Sequence, residues 1–531
     1  ERIFSKHGDK RTIIVLSLIA AIILIISFLN FTNLQTIQLI SGIKSSGIKK
    51  VNGASKKNLL YHLFAENIII IFISVCTIIV LYKILLPWSN QFLKTDLTFH
   101  FLNDLLGVFI ITGIFSILSF IYPFIQLSKI LPYEALQNKL LMGTAVIARK
   151  MVTTLQYTLT LLLLIASMVV FRQLHFMLNK DLGFQYSNTV KIKFFGRIPF
   201  RPWEDQFLNE QNKQIENWQF LKNEIRNNPN INYLCQGDSP LGVYKMSWKK
   251  MGENQEYTTV NILIVNPGWE KLFGLHMKEG RFFNDTIDRS REHKVVINEA
   301  AQKYWQIQNI EKNTLASTSW GENYQIIGVL KDFNYQHLSV KIQPLVILYF
   351  EDRDREFMMQ LREKTKQSSI KFLAALFNKI NPEETFEYSF IEDEIRSLYQ
   401  KEKKISKICM ILTIIALFIS SIGLFTFALY DTKVRTKEIG IRKVNGAKVS
   451  NIMQMLNYDS VKWVVIAFVI ACPVAYYAMS RWLENFAYKT GLSWWIFTLA
   501  GLMALVIALL TVSWQSYRVA TRNPVEALRY E

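Results

Sequence analysis

Cysteine is scarce in this 531-residue chain, and its four copies have no spacing that could frame a disulfide network or a metal site. Cys76, Cys409 and Cys472 fall inside apolar runs, and only Cys235 stands in the polar middle of the chain. The seven histidines are scattered, without an HExxH pair or a paired His–carboxylate spacing. No metal ligand set and no cofactor are therefore expected on the chain itself. A GxxxxGK(S/T) phosphate loop is absent, which excludes ATP hydrolysis by that route. Ser239 precedes Pro240 and lacks the context of a nucleophile elbow. No catalytic residue is nominated, and the chain is not expected to be an enzyme. The net charge of +19 comes with no zinc-finger spacing and no aromatic RNA-binding signature, so nucleic acid is not an expected partner.

What the chain has in abundance is apolar sequence, 50% of its residues, gathered into runs as in a membrane protein. Seven runs are long enough to span: roughly 12–31, 67–86, 103–127, 151–171, 408–430, 461–480 and 494–514. Each holds about 20 largely apolar residues, which as a helix cross about 30 Å of hydrocarbon. Short-loop charge sets the orientation. Lys44, Lys49, Lys50, Lys56 and Lys57 follow the first run, and Lys129, Lys139, Arg149 and Lys150 the third. Lys433, Arg435, Lys437, Arg442, Lys443 and Lys448 follow the fifth, and Arg518, Arg522 and Arg529 the last. The opposite short loops hold only Lys94, Arg481 and Lys489. Positive charge inside places these basic loops and the C-terminus in the cytoplasm and residues 172–407 outside. Pro123 and Pro473, within runs, are expected to kink or end helices. Trp88, Trp463, Trp482, Trp494 and Trp495 read as interfacial anchors.

Two of the basic loops repeat each other. Gly47-Ile48-Lys49-Lys50-Val51-Asn52-Gly53-Ala54 returns 393 residues later as Gly440-Ile441-Arg442-Lys443-Val444-Asn445-Gly446-Ala447, differing only by Lys for Arg. A second pair, Pro132-Tyr133-Glu134-Ala135-Leu136 and Pro524-Val525-Glu526-Ala527-Leu528, lies at an offset of 392. Two anchors at nearly one offset mean a duplicated membrane module. Glu66 and Asp459 also match, each just before a span. An acid there suits either plain placement at the membrane boundary or an interhelical contact. Residue 1 aligns with Glu394 of the second copy, so residues 1–11 are expected to end an external domain whose remainder lies outside this sequence. The expected order is a first module over 12–136, the first span of a second module at 151–171, an external domain over 172–404, and the rest of the second module over 405–531.

Within 172–404, strand-like runs at Thr189–Phe194, Thr258–Val265, Tyr324–Leu330, Pro344–Phe350 and Phe357–Leu361 mix with helical patterns near 215–227, 267–273, 298–306, 369–380 and 392–404. Asn228-Pro229-Asn230 and Gly237-Asp238-Ser239-Pro240 mark turns. The fold class is thus a polytopic α-helical membrane protein with a large external α/β domain. Glu392, Asp393 and Glu394 suit the positive end of a helix, with a cation site as the alternative.

Arg435-Thr436-Lys437-Glu438-Ile439-Gly440 continuing through Ala447 resembles the cytoplasmic loop of FtsX/MacB-type permeases of ABC transporters, and Asn523-Pro524-Val525-Glu526-Ala527-Leu528-Arg529 resembles the end of that module. Asp181-Leu182-Gly183-Phe184, Gly280-Arg281-Phe282-Phe283, Val296-Ile297-Asn298-Glu299-Ala300 and Gly328-Val329-Leu330-Lys331-Asp332-Phe333 are similar to landmarks of the MacB-like extracytoplasmic domain. The resemblance implies four spans per module, with a large domain between the first two. It further implies a bacterial inner-membrane protein, driven mechanically by a separate cytoplasmic ATPase dimer that binds the ATP. A periplasmic partner is left open. Cargo could be a peptide, antibiotic, lipid or lipoprotein; the alternative is a non-transporting regulator of a periplasmic partner. By residue type alone the repeated loop suits either a charged juxtamembrane helix or a coupling element. With the duplication and the resemblance, coupling is the expectation. Its residues are Glu438, Gly440, Arg442, Lys443, Gly446 and Ala447, matched by Gly47, Lys49, Lys50, Gly53 and Ala54 in the first copy. Ile439 and Ile441 would add apolar contacts, and Ser450 is expected to cap the next helix. The first copy has Ser45 where the second has Glu438, which raises unequal grip on the ATPase as a hypothesis.

Overall fold

A computed structural model describes residues 10–41, 48–49, 52–53, 56–93, 98, 104, 106–118, 144–196, 205–252, 256–290, 292–350 and 356–521. It divides into two units: a helical one of 1–172, 404–482 and 491–531, and an α/β one of 173–403 and 483–490. The Pro132 and Pro524 motifs, Pro123, Gly47, Lys50 and Ala54 lie outside the described residues.

In the helical unit, α1 covers Lys10–Ser41, α2 Lys56–Leu93, α3 Leu106–Leu118 and α4 Thr144–Asn179. The candidate spans among the described residues are Ile13–Thr36, Phe64–Gln91, Lys150–Asn179, Gln400–Thr432, Val449–Leu483 and Trp494–Ala520. The run at 103–127 is described only as the shorter apolar helix α3.

The α/β unit supplies β1 (Thr189–Ile192), α5 (Asp205–Arg226), β2 (Ile231–Gln236), β3 (Tyr244–Lys250), β4 (Thr258–Val265), α6 (Trp269–Leu272) and β5 (Met277–Gly280). There follow β6 (Lys294–Asn298), α7 (Glu299–Tyr304), β7 (Thr314–Ser317), β8 (Gly321–Leu330), β9 (Leu345–Tyr349) and β10 (Phe357–Leu361). It ends with α8 (Lys366–Ile380), β11 (Tyr388–Phe390) and α9 (Ile391–Leu398). The chain then returns to helices through α10 (Gln400–Val434), α11 (Thr436–Val444), α12 (Val449–Leu483) and α13 (Trp494–Ala520).

Two sheets share one core. The smaller is antiparallel in the order β11-β1-β10-β2. One face, with Val190, Ile192, Phe357 and Met359, packs on Leu221 and Ile225 of α5 and Leu373 and Phe377 of α8. The larger runs β5-β8-β6-β9-β4-β3-β7, and β7 pairs back to β8. Strand periodicity splits its side chains between two cores. Ile262, Ile264, Val295, Ile297, Val346 and Leu348 turn to one side with Trp248 and Trp305. Leu263, Val265, Val296, Leu345 and Ile347 turn to the other, where Met358 and Cys235 of the smaller sheet also reach. Such strands are apolar on both faces, which is why Thr258–Val265 reads as an apolar run.

The motifs singled out in this unit are backbone clasps. Asn298 is fully buried; its Oδ1 accepts Ala301 N–H at 2.9 Å, capping α7, and Leu345 N–H at 2.9 Å, while Nδ2 donates to Gln343 O at 3.0 Å. Glu299 accepts Asp332 N–H at 3.1 Å and Asp332 accepts Ala300 N–H at 3.0 Å, so the two landmarks hold each other. Asn298→Ala should cost roughly 2 kcal/mol, a lost cap plus an orphaned buried N–H; chemical unfolding of the purified protein measures it. Glu392 and Glu394 do more than face a helix dipole. Glu392 accepts Asn188 N–H at 3.1 Å, and Glu394 takes the Ser239 hydroxyl at 2.9 Å and pairs with Lys191. Asp393 alone stays on the surface, 3.9 Å from Arg396.

In the second module, Tyr157, Leu161, Leu424, Phe427, Val464, Ala467, Ala471, Ala504 and Ala508 bring α4, α10, α12 and α13 into one core. The small residues let helices approach closely where lipid offers no hydrophobic drive. Ile26 of α1 packs with Leu163 and Ala416. Polar links cross the same helices, as between Thr160 and Ser420 at 2.6 Å. Pro473 lies inside α12, which continues past it to Leu483, so this proline does not end its helix.

Candidate coupling element

The second repeated octapeptide forms the end of α11 and the turn after it. Asn445 N–H donates to Ile441 O at 3.0 Å, Gly446 N–H to Lys443 O at 3.0 Å and Ala447 N–H to Arg442 O at 3.0 Å. This nested pair of bonds is a Schellman cap, which requires a left-handed residue after the helix. Gly446, at φ 86°, supplies it. In the first copy the described residues match two of these features: Asn52 N–H donates to Ile48 O at 3.0 Å and Gly53 stands at φ 88°. Asn-Gly thus carries the same bond and the same left-handed glycine in both copies.

A helix of nine residues needs outside support to hold its direction. Ile439 supplies it, buried with Ile452 and Leu456 of α12 and Ala520 of α13. Asn457 donates to Ser513 Oγ at 2.8 Å and accepts from Ser516 at 3.0 Å, locking α12 to α13 beneath it. Arg435, just before α11, reaches Asp431 at 3.3 Å and Asp459 at 2.6 Å. Asp459 is thus an interhelical contact. Glu66, its counterpart by sequence, is an exposed residue of α2. The position matching Arg435 in the first copy is Gly42, so this clamp is not repeated in sequence.

With one side fastened, α11 presents the other. Glu438 and Arg442 form an i,i+4 pair at 2.8 Å, both about half exposed; Arg442 also touches Met455. Ile441 and Val444 are exposed at 48% and 64%. Two readings of the sequence are corrected. Ile439 cannot serve a partner, because a two-residue step on a helix turns it to the opposite face from Ile441. Ser450 does not cap α12, which begins at Val449; the first turn is bonded to Lys448 O by Asn451 N–H at 3.1 Å and Ile452 N–H at 3.3 Å. Gly440 is buried on the fastened side, while Lys443 and Ala447 are partly buried. In the first copy Lys49 is exposed. Val444 and Arg435 were missed in the sequence, although the Asp431–Arg435 spacing carried the signal for the latter. Among the described residues, no group of three or more His, Cys, Asp or Glu side chains could hold a metal ion.

The sequence matches the family FtsX-like permease C-terminal over residues 17–132 and again over 410–524, and the family MacB-like periplasmic core domain over 221–374. The chain belongs to the FtsX/MacB-like ABC transporter permeases. This permease is 21% identical over 355 residues to the uncharacterized ABC transporter permease YknZ of Bacillus subtilis (strain 168), covering 65% of the chain and 86% of the relative. It is 30% identical over 145 residues to the macrolide export ATP-binding/permease protein MacB of Sodalis glossinidius (strain morsitans), 27% of the chain and 22% of that protein. The crystal structure of the periplasmic region of MacB from Actinobacillus actinomycetemcomitans matches with a TM-score of 0.29 and 15% identity, covering 42% of this chain and 97% of that one. The MacB-like periplasmic core match falls within the α/β unit, which is the permease's extracytoplasmic domain, and the two FtsX-like matches enclose the two octapeptides.

Proposed function

We propose that this permease couples a separate cytoplasmic ATPase dimer to a change in its extracytoplasmic domain, with α11 and its first-copy counterpart as the gripped elements. The observation that carries this reading is the recurrence, 393 residues apart, of one octapeptide with a left-handed glycine in each copy, Schellman-capped in the second. In the second copy it carries an exposed face of Glu438, Ile441, Arg442 and Val444. A soluble partner needs a short rigid projection with mixed charge and apolar contact, and that face offers one. Positive charge in the short loops puts both elements and the C-terminus in the cytoplasm. ATP is bound and hydrolysed on the partner, and the relative MacB carries ATP-binding in its name. The whole is a multi-pass protein of the bacterial inner membrane. Cargo of the peptide, antibiotic, lipid or lipoprotein kind and regulation of a periplasmic partner use the same coupling; stimulation of ATPase by cargo separates them.

The test is co-purification of the full-length protein with its ABC ATPase, wild type against Glu438→Ala/Arg442→Ala. An exposed i,i+4 pair is worth only about 0.3–0.5 kcal/mol, so the double variant stays folded. Loss of at least about nine-tenths of the bound ATPase is expected, a factor of ten for each 1.4 kcal/mol of contact. Undiminished binding moves the contact off α11, and no binding by wild type ends the coupling reading.

A further inference from the structure

Trp463 carries two cations on one indole. Lys150 Nζ, from the start of the α4 span, lies 5.5 Å from the centre of the ring, and Lys462 Nζ, from α12, lies 5.6 Å from it. The shared ring sets both ammonium groups at one depth, no more than about 11 Å apart. Among the described residues, no carboxylate pairs with either of them. Asp431, within reach of the Lys150 charge, and Asp459, three residues before Lys462, are both taken by Arg435, at 3.3 and 2.6 Å. Like charges that converge without an anion repel each other, so the pair favours a negative ligand.

The duplicated module shows that the pair is no requirement of the fold. At the repeat offset of 393 residues, Ile69 and Ile70 stand where the second copy has Lys462 and Trp463. Asp459 keeps an acidic counterpart in Glu66. A lysine at the mouth of such an apolar stretch is costly in hydrocarbon, but its long stem lets the ammonium reach the level of the lipid phosphates. Lys462 is exposed on α12, and Trp463 beside it is half-buried, a ring that suits the headgroup level. The orientation proposed above puts this end of both helices at the cytoplasmic face. Basic pockets between helices on that face take acidic headgroups.

We infer that Lys150, Lys462 and Trp463 form a binding site for the phosphodiester headgroup of an acidic phospholipid, seated between α4 and α12. The two ammonium groups pair with the phosphate oxygens, and the indole covers the boundary between headgroup and acyl chain. Lys462 and Asp459 are neighbours on the helix surface. A lipid that engages Lys462 leaves Asp459 to Arg435, and so steadies the clamp that precedes α11. That consequence, unlike the site itself, rests on the coupling proposed above.

The experiment titrates the full-length protein in detergent with phosphatidylglycerol or phosphatidylcholine and counts bound lipid by native mass spectrometry. Phosphatidylglycerol is expected to bind about tenfold or more tightly than phosphatidylcholine. Each lysine at an acidic headgroup is worth about fivefold in affinity, so Lys150→Gln/Lys462→Gln should weaken it about thirtyfold and erase the preference. Lys150→Arg/Lys462→Arg keeps both charges and should retain the preference. Lys448→Gln/Lys489→Gln removes the same charge at two exposed lysines elsewhere and should change it less than about twofold. Inorganic phosphate in large excess should not displace the lipid. No preference in wild type, equal losses in the two glutamine variants, or displacement by inorganic phosphate would each overturn the site. Absence of ATPase co-purification in every sample overturns the coupling instead, and the lipid affinities still decide the site.

Discussion

Gly328→Ala is expected to lower the stability of the extracytoplasmic domain by more than about 3 kcal/mol, the range of severe core overpacking. Gly328 of β8 stands opposite Gly280 of β5. A Cβ on Gly328 would lie 2.3 Å from Arg281 O and 3.0 Å from Arg281 N, and one on Gly280, at φ 70°, 2.3 Å from Ile327 O. These obstacles are backbone, so no rotamer change relieves them, and the β5–β8 ladder must part. A domain of this size loses about 2–4 °C in Tm per kcal/mol, so the drop should exceed roughly 6 °C. Thermal unfolding of the detergent-solubilised protein, followed by the fluorescence of buried Trp269, Trp248 and Trp305, reads it. Gly446→Ala is the control: nothing lies within 4 Å of its Cβ, and only the left-handed φ opposes alanine, at about 1–2 kcal/mol. Equal, small shifts in both variants would refute the close approach of β5 and β8.

That pair of glycines shows what the sequence disclosed and what it withheld. Gly280-Arg281-Phe282-Phe283 and Gly328-Val329-Leu330 stood out as motifs, but only the register shows that they are one contact. Long apolar periodicity was legible: the candidate spans and Thr258–Val265 and Phe357–Leu361 fall where the pattern put them. β3 was hidden because Lys245 and Lys249 alternate with the inward Met246 and Trp248, and Lys250 turns inward against the rule of charge. Short strands such as β5, β7 and β11, of three or four residues, have no period to detect. In the coupling element, repetition revealed the octapeptides. Which face of α11 is free depends on Ile452, Leu456 and Ala520, distant in sequence, and so Ile439 was assigned to the wrong side. The bonds from Ala487 N–H to Ser339 O and Tyr488 N–H to Leu338 O join backbone groups, which leave little trace in side-chain identity.

Asp288→Asn should cost about 3 kcal/mol at neutral pH, and the loss should fade in acid. The Asp288 carboxylate is buried, and it receives Arg281 through both guanidinium ends at 2.5 and 2.8 Å, Lys294 at 2.9 Å and Asn284 N–H at 2.9 Å. It pins the segment between β5 and β6 to Arg281, within a landmark of the domain. The Arg281 bond above all, with Lys294 and Asn284 adding to it, holds its carboxyl well below the usual carboxylate range. A folded pKa depressed below the unfolded value of about 3.9 gives stability that is present above that value and lost as pH falls through the folded one. An amide keeps the shape but cannot accept every donor, and it removes the charge facing two cations, hence the expected cost of about 3 kcal/mol. At 2–4 °C per kcal/mol, Tm should fall by roughly 6–12 °C at pH 7. From about pH 4 down to pH 2 the gap should narrow steadily, because the unfolded carboxyl takes up its proton while the folded one is still held ionised. Parallel Tm curves for the two proteins from pH 7 to pH 2 would mean that Asp288 is no ion-pair hub, and that the segment is held by Phe282 and Phe283 packing alone.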